Sequence, residues 1–192
     1  MIDEGLSRVS DLSRNMLKYA REWKVEAEPV DLRQMTRKIA VAASKNTNEP
    51  VVSVRTEISD ALPLVTCDPR LIHMCIMDIV SNAIDACDLK EYAGDQGPEI
   101  VLRVFGSADG QSAIIEVEDN GAGMTEEVMV NVFTPFFSTK KKWGTGLGLA
   151  LTSRIINLHN GQITVESELD KGTVFRITLP LGGKVENLED GR

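Results

Sequence analysis

The stretch from Asp68-Pro69 to about Leu89 governs how this chain can fold. Asp68 is a suitable N-cap and proline is tolerated at the first helical position, so the pair opens a helix. Leu71, Ile72, Ile76, Ile79, Val80 and Ile84 make that helix apolar. Yet Asp78 and Asn82, one turn apart, share a face. A carboxylate and an amide on such a helix are costly to bury without a partner. Either they face solvent, as polar pairs on amphipathic helices often do, or they meet something polar. A hard cation takes oxygen ligands of this kind.

Two glycine clusters follow. Asp119-Asn120-Gly121-Ala122-Gly123-Met124 comes directly after an apolar strand. Glycines one residue apart allow a tight turn and close approach of a ligand to the backbone. A carboxylate at that strand end can accept from an exocyclic amine such as the N6 of adenine. A plain turn is the alternative, since Asn-Gly makes one readily. Gly144-Thr145-Gly146-Leu147-Gly148-Leu149 opens a helix that ends near His159. Small residues there leave backbone donors free for an anion such as phosphate. A glycine-rich hinge is the alternative. Each cluster alone is ambiguous. Together they place a mid-helix pair, a strand end and a helix start in one order, each in the local structure its chemistry needs.

The rest of the chain supplies the frame. Residues 1–28 read as one helix, because Ile2, Leu6, Val9, Met16, Ala20 and Trp23 recur at alternating four- and three-residue steps, with Ser13 filling the gap. That seam needs a partner, either the following domain or a helical dimerisation bundle. Its length and its period near 3.5 favour the bundle. After Pro29, Asp31 caps a helix to about Ser44, and residues 51–58 alternate as a strand. Strands at 99–106 and 112–119 flank a turn at Asp109-Gly110. Residues 125–145 look irregular apart from a short helix near 126–132. Strands at 162–167 and 173–179 follow the turn at Asn160-Gly161, and a polar tail runs over 182–192. The expectation is a two-layer α/β (α+β) sandwich, with a mixed or antiparallel sheet and helices on one face.

Composition removes some functions. A net charge of −8 argues against nucleic acid as partner, because phosphate contact needs clustered Lys and Arg. It leaves nucleotides open, since backbone N–H groups and a cation can manage their phosphates. Cys67, Cys75 and Cys87 have no metal spacing and are odd in number, so they read as free thiols in a reducing compartment. No apolar run is long enough for a membrane span, and the start is no signal peptide. The expectation is a soluble cytoplasmic chain without membrane contact, whose parent protein is free to be membrane-anchored.

These residues together resemble the GHKL superfamily of gyrase B, Hsp90, histidine kinases and MutL, and within it the sensor histidine kinases of two-component systems. Asp78 to Ala83 resembles the N box, Asp119 to Met124 the G1 box and Gly144 to Leu149 the G2 box. Phe133-Thr134-Pro135-Phe136-Phe137-Ser138-Thr139-Lys140 resembles the F box, typical of histidine kinases. Gly172-Thr173-Val174-Phe175 resembles the last motif strand. The likeness spans about residues 31–181.

The resemblance implies the GHKL (Bergerat) ATP-binding fold and a catalytic domain over 29–181 that binds ATP and Mg2+. By that likeness, Asn82 would hold the Mg2+, and Asp78 would support the metal or orient a water. Asp119 would take the adenine amine, with Thr173 and Gly123 joining through a shared water, and Ala86 and Met124 would touch the base. Residues 125–145 would form a lid, Lys140 would reach a phosphate, and Gly146 and Gly148 would offer backbone donors. Gly121, Thr145 and Leu147 count among the nucleotide contacts. Residues 1–28 resemble the second helix of the dimerisation and phosphoacceptor hairpin, implying a possible homodimer through them. The implied activity carries the γ-phosphate of ATP to a histidine on the parent kinase's hairpin and on to a response-regulator aspartate. The alternatives are a GHKL-type ATPase switch, a related serine kinase, or a nucleotide-binding module without kinase activity. His73 and His159 lack the following acidic residue of a phosphoacceptor and read as structural, so the acceptor histidine is expected outside this chain.

Overall fold

The computed structural model describes residues 24–45, 52–140 and 145–182. In chain order the elements are β1 (Glu28–Val30), α1 (Leu32–Lys45), β2 (Ser53–Ile58), β3 (Val65–Cys67), α2 (Pro69–Asp88), β4 (Glu99–Gly106), β5 (Ser112–Asp119), α3 (Glu126–Asn131), α4 (Gly148–Leu158), β6 (Gln162–Glu168) and β7 (Gly172–Pro180). Five strands form one mixed sheet in the order β2-β4-β5-β7-β6. Only β2 and β4 run parallel; the other neighbours are antiparallel. Parallel neighbours need a crossover, and here it carries β3 and α2 across the sheet. That crossover brings the polar pair of α2 to the ends of β5 and β7.

Helices α1, α2 and α4 pack on one face of the sheet. The strands present Ile100, Leu102 and Val104, Ala113, Ile115 and Val117, and Phe175, Ile177 and Leu179 to them, all buried. Helix α2 answers with Ile72, Cys75, Ile76, Ile79 and Ala83, and α4 with Ile155 and Ile156. Removing each large side chain from water contributes about 1.5–3 kcal/mol. The opposite face is covered by charge. Arg55 pairs with Glu99 and Glu57, Arg103 with Glu57, Glu116 and Glu118, and Arg176 with Glu116 and Glu166. This ladder crosses all five strands, and pairs facing each other across strands stabilise the sheet modestly.

One knot joins the start of α2 to the end of α4. The fully buried Asp68 carboxylate accepts from the backbone N–H groups of Arg70, Leu71 and Glu26 and from the Arg70 guanidinium. Burial pushes its pKa up, but those donors outweigh burial and leave it below the usual carboxylate range. The Asp68 N–H donates to His159 Nε2 at 3.0 Å, and His159 Nδ1 lies 2.8 Å from the Ile155 carbonyl. His159 is thus a neutral, buried histidine with both ring nitrogens engaged.

The structure departs from the sequence reading in three places. Of the helix expected over 1–28, residues 1–23 lie outside the described residues. Residues 24–27 are not helical, and Glu28–Val30 is a strand. That strand pairs antiparallel with β3, a short strand the sequence reading lacks. Val25 is buried in the core and the Glu26 N–H caps Asp68, so tertiary packing overrides the helical period here. Helix α4 starts at Gly148 and not Gly146, whose φ of +65° cannot be helical. Val51, Gly144 and most of the 182–192 tail lie outside the described residues. The mixed sheet with helices on one face is as expected. Among the described residues no helix is long and apolar enough to cross a membrane.

Burial lowers the His159 pKa, chiefly by desolvation. The unfolded chain, with histidine near about 6.5, therefore takes up a proton that the folded chain does not. The His159 contribution is present above about pH 6.5 and is lost as pH falls toward the lowered folded value. Asp119, whose pKa is raised, works in the opposite sense. The His159 part is isolated by comparing the wild-type chain with His159→Gln in urea unfolding. The variant should be less stable near neutral pH by about 1–3 kcal/mol. The gap should narrow at about pH 5.

Candidate functional site

Helix α2, the ends of β5 and β7, and the chain leading into α4 enclose a cleft of about 410 Å³. Helical spacing puts Asp78, Asn82 and Asp85 on the one face of α2 that looks into it, with Ala86 a residue further on. The polar pair read from the sequence therefore faces a cavity and not open solvent.

At the far end, Asp119 closes β5 and is 4% exposed. Its carboxylate accepts from the Gly121 N–H at 2.9 Å. Burial pushes its pKa up to about 6, against the pull of backbone hydrogen bonds from Gly121 and Thr173. The turn after it is wedged between two elements. The Ala122 N–H donates to the Ala86 carbonyl of α2, and the Asp170 N–H of the β6–β7 turn donates to the Ala122 carbonyl. Glycine is obligatory in this corner at Gly121, Gly123 and Gly172. A Cβ on Gly123, at φ +65°, would stand 2.0 Å from the Glu168 carbonyl oxygen, and one on Gly172 would stand 1.9 Å from that of Asp119.

Ser167 organises the same corner. Its hydroxyl accepts from the Met124 N–H and lies 2.9 Å from both the Gly172 carbonyl and the Thr173 hydroxyl. With the serine's single proton on the Gly172 carbonyl, Thr173 donates to Ser167 and turns its lone pairs to the cleft. Asp119 and Thr173 are cross-strand partners, so their polar atoms converge on one spot. Behind it, Phe133 and Phe175 meet edge to face at 6.2 Å. An amine donor seated on an apolar wall suits this end.

The other end carries charge. Asp78 accepts from the Thr152 hydroxyl at 3.3 Å, and Gly148 packs against it so closely that a Cβ would lie 2.5 Å from Oδ1. Burial raises the Asp78 pKa, against the Thr152 hydrogen bond and the Lys140 ammonium. Helix α4 begins here without a side-chain cap, and the N-terminal end of a helix favours negative charge. Lys140 Nζ donates to Asn82 Oδ1 at 2.8 Å and pairs with Asp85. Asn82 thus already holds a cation through its oxygen, which is the donor chemistry Mg2+ uses. Among the described residues no group of three or more His, Cys, Asp or Glu forms a metal cage. A Mg2+ here would take few protein oxygens and complete its shell from ligand and water, as that ion commonly does.

Asp78, Asn82, Ala86, Asp119, Gly123, Met124, Lys140, Thr145, Gly146, Leu147, Gly148 and Thr173 all line this one cleft. Gly121 does not. It packs beneath α2, where a Cβ would lie 2.5 Å from the Ala86 backbone, so its smallness serves helix packing. Gly144 lies outside the described residues. Sequence reading missed Ser167, Asp85 and the role of Asn120, whose side chain holds the Glu99 N–H, the Gly97 carbonyl and the Tyr92 hydroxyl. Only Asp85 had a readable signal, its place on the face of Asp78 and Asn82.

A sequence model of the "histidine kinase-, DNA gyrase B-, and HSP90-like ATPase" family matches residues 67–183. "Sporulation kinase E" of Bacillus subtilis (strain 168) is 31% identical over 186 residues, which are 97% of this chain and 24% of that protein. The chain therefore spans about a quarter of the length of this curated relative. Among solved structures, full-length ShkA in complex with AMPPNP superposes with a TM-score of 0.78 at 23% identity, over 93% of this chain and 37% of that one. Histidine kinase ThkA in complex with response regulator protein TrrA gives 0.74 at 24% identity, over 94% and 49%. Both share the fold.

Two glycine substitutions test the turn. Gly110, at φ +69°, has nothing within 4 Å of an added Cβ, whereas Gly123 has a carbonyl oxygen in the way. Gly110→Ala should cost only left-handed strain, about 1–2 kcal/mol. Gly123→Ala should cost about 3 kcal/mol or more, since backbone must move. Thermal unfolding of the two side by side decides it, and equal losses would contradict this packing.

Proposed function

Since this chain belongs to the family of histidine kinase-, DNA gyrase B- and HSP90-like ATPases, we propose that its cleft holds Mg2+–ATP and presents the γ-phosphoryl group to a histidine of its parent kinase. The observation that carries this reading is the convergence of Asp119 and Thr173 at one end of a cleft whose other end holds Asn82, Lys140 and the open start of α4. The first end suits an adenine amine, the second a string of phosphates with its cation.

The roles follow from those positions. Asp119 accepts from the exocyclic amine, with Thr173 beside it, while Ala86 and Met124 flank the base. Asn82 holds the Mg2+, which when bound neutralises charge on the phosphate oxygens. Gly146 and Gly148 offer backbone donors at the start of α4, and Lys140 reaches a phosphate. Asp78 holds Thr152 and the start of α4 in place and is near enough to orient a water. In such a site the protein positions groups and neutralises charge. The attacking histidine is not His159, whose ring nitrogens are both engaged in the core. Residues 1–28 belong, on this reading, to the dimerisation hairpin, and the phosphoryl group passes on to a response-regulator aspartate. The kinase ThkA, which shares the fold, was solved with such a regulator.

Asp119→Asn keeps the shape and removes the charge, so the fold should survive. ATP binding by calorimetry should weaken about 10- to 100-fold, the worth of a hydrogen bond to a charged group. Unchanged binding would refute the adenine assignment. Because the Asp119 pKa is raised to about 6, binding of adenosine, which has no phosphate to titrate, should weaken as pH falls below about 6. The activity itself is tested with labelled ATP and a hairpin fragment carrying a histidine. Acid-labile, base-stable label on the fragment supports a histidine kinase. Steady phosphate release without transfer supports an ATPase switch.

A further inference from the structure

Lys140 stands where the bound cation is expected. Its ammonium donates to Asn82 Oδ1 and pairs with Asp85 Oδ2 one turn along α2. Asn82 has a single acceptor oxygen, its other terminal atom being a donor. That oxygen has two lone pairs, but an ammonium at 2.8 Å on one and a Mg2+ at its usual distance of about 2.1 Å on the other would stand only about 4 Å apart. Two cations so close, in a partly buried cleft, repel strongly.

The surroundings explain why an ammonium rests there. Asp78, Asp85 and Asp119 all line the cleft, so the ligand-free site is anionic and attracts a cation. The chain brings Lys140 there by local structure. The Phe136 N–H donates to the Gly146 carbonyl, tying this segment to the approach of α4, and the Lys140 N–H donates to the Ser138 hydroxyl. The pair is also breakable. The Lys140 and Asp85 side chains keep 33% and 48% of their exposure, and ion pairs as open as this are weak.

We propose that Lys140 is the resident counter-ion of the empty site, held on Asn82 by Asp85, and that a divalent cation must evict it to reach Asn82. Asp85 is then a positioning residue with no direct part in binding the nucleotide. Eviction frees the same lysine to meet the phosphates. The lysine thus serves the empty and the filled site in turn, and the cleft is never without a positive charge beside Asn82. This rests on the reading of Asn82 as the cation's ligand.

The test uses the full 192-residue chain. Free Mn2+ is titrated by its electron paramagnetic resonance signal without nucleotide, and Mg2+–ATP binding is measured by calorimetry on the same preparations. Lys140→Met should bind Mn2+ at least about tenfold more tightly than wild type, because the competing charge is gone. Adding Asn82→Ala to Lys140→Met should remove most of that gain, because the oxygen the lysine competed for is then absent. Lys140→Arg, which keeps a cation in place, should stay near wild type. Circular dichroism checks that each variant is folded, as expected for a partly exposed side chain. If Lys140→Met binds Mn2+ no better than wild type while wild type binds Mg2+–ATP, the counter-ion role is overturned and the nucleotide site stands. If wild type binds no Mg2+–ATP, the nucleotide reading falls and the counter-ion role falls with it.

Discussion

The turn after β5 is the place where the architecture is locked. Three backbone crossings meet there: Gly121 against Ala86 of α2, Gly123 against Glu168 of β6, and Gly172 of β7 against Asp119 of β5. Each is too close for any side chain. The crossings bring a helix and three strand ends, remote in sequence, to one point. Close-packed side chains already resist sliding of the helix layer, and a direct backbone hydrogen bond, Ala122 N–H to the Ala86 carbonyl, fixes its register here. The cleft inherits that register. Asn82 sits one helical turn before Ala86, so the distance between the Asp119 end and the charged end is set by the pitch of α2.

Against this, the sequence was legible where chemistry is local. The Asp68-Pro69 start, the alternation of β4, β5 and β7, and the three polar or glycine clusters are all read within windows of a few residues. What stayed hidden depends on contacts made across the chain. Strand β1 is three residues long and exists because β3 pairs with it and Asp68 binds the Glu26 N–H. The parallel β2–β4 pairing has no local signature, since alternation says nothing of direction. Gly121 and Gly123 look alike in sequence, and only the neighbour each meets separates a packing glycine from a cleft glycine. Ser167 falls in a strand of alternating exposure and gains its role through the register that sets it opposite Thr173.

The two cleft carboxylates illustrate how burial divides labour. Both Asp78 and Asp119 are pushed up by desolvation, but their partners differ. Asp119 is held by backbone donors that cannot rotate away, so its orientation is permanent and suits reading a base. Asp78 is held by a threonine hydroxyl and by the nearby lysine, both able to move. A carboxylate at the start of α4 also takes part of the helix's positive end for itself. On the proposed reading, phosphates arriving there would compete with Asp78 for the same dipole, which would tie that end to the state of α4 as the Asp119 end is not.

The distribution of arginine sharpens the same point. Arg55, Arg103 and Arg176 are bound to glutamates on the far face of the sheet, and Arg70 is bound to Asp68. Among the described residues no arginine lines the cleft, and these four guanidinium groups, of a kind suited to bidentate phosphate binding, are spent on the scaffold. The cleft itself offers helix N–H groups and a lysine, set among three carboxylates. On the proposed reading, such a site, in a chain of net charge −8, would favour a triphosphate that carries its own positive charge into it. Among the described residues a metal-free nucleotide would meet one cationic side chain lining the cleft, Lys140, besides the N–H groups of α4, against Asp78 and Asp85. On that reading the acidity of the cleft would favour the cation-bound form of its ligand.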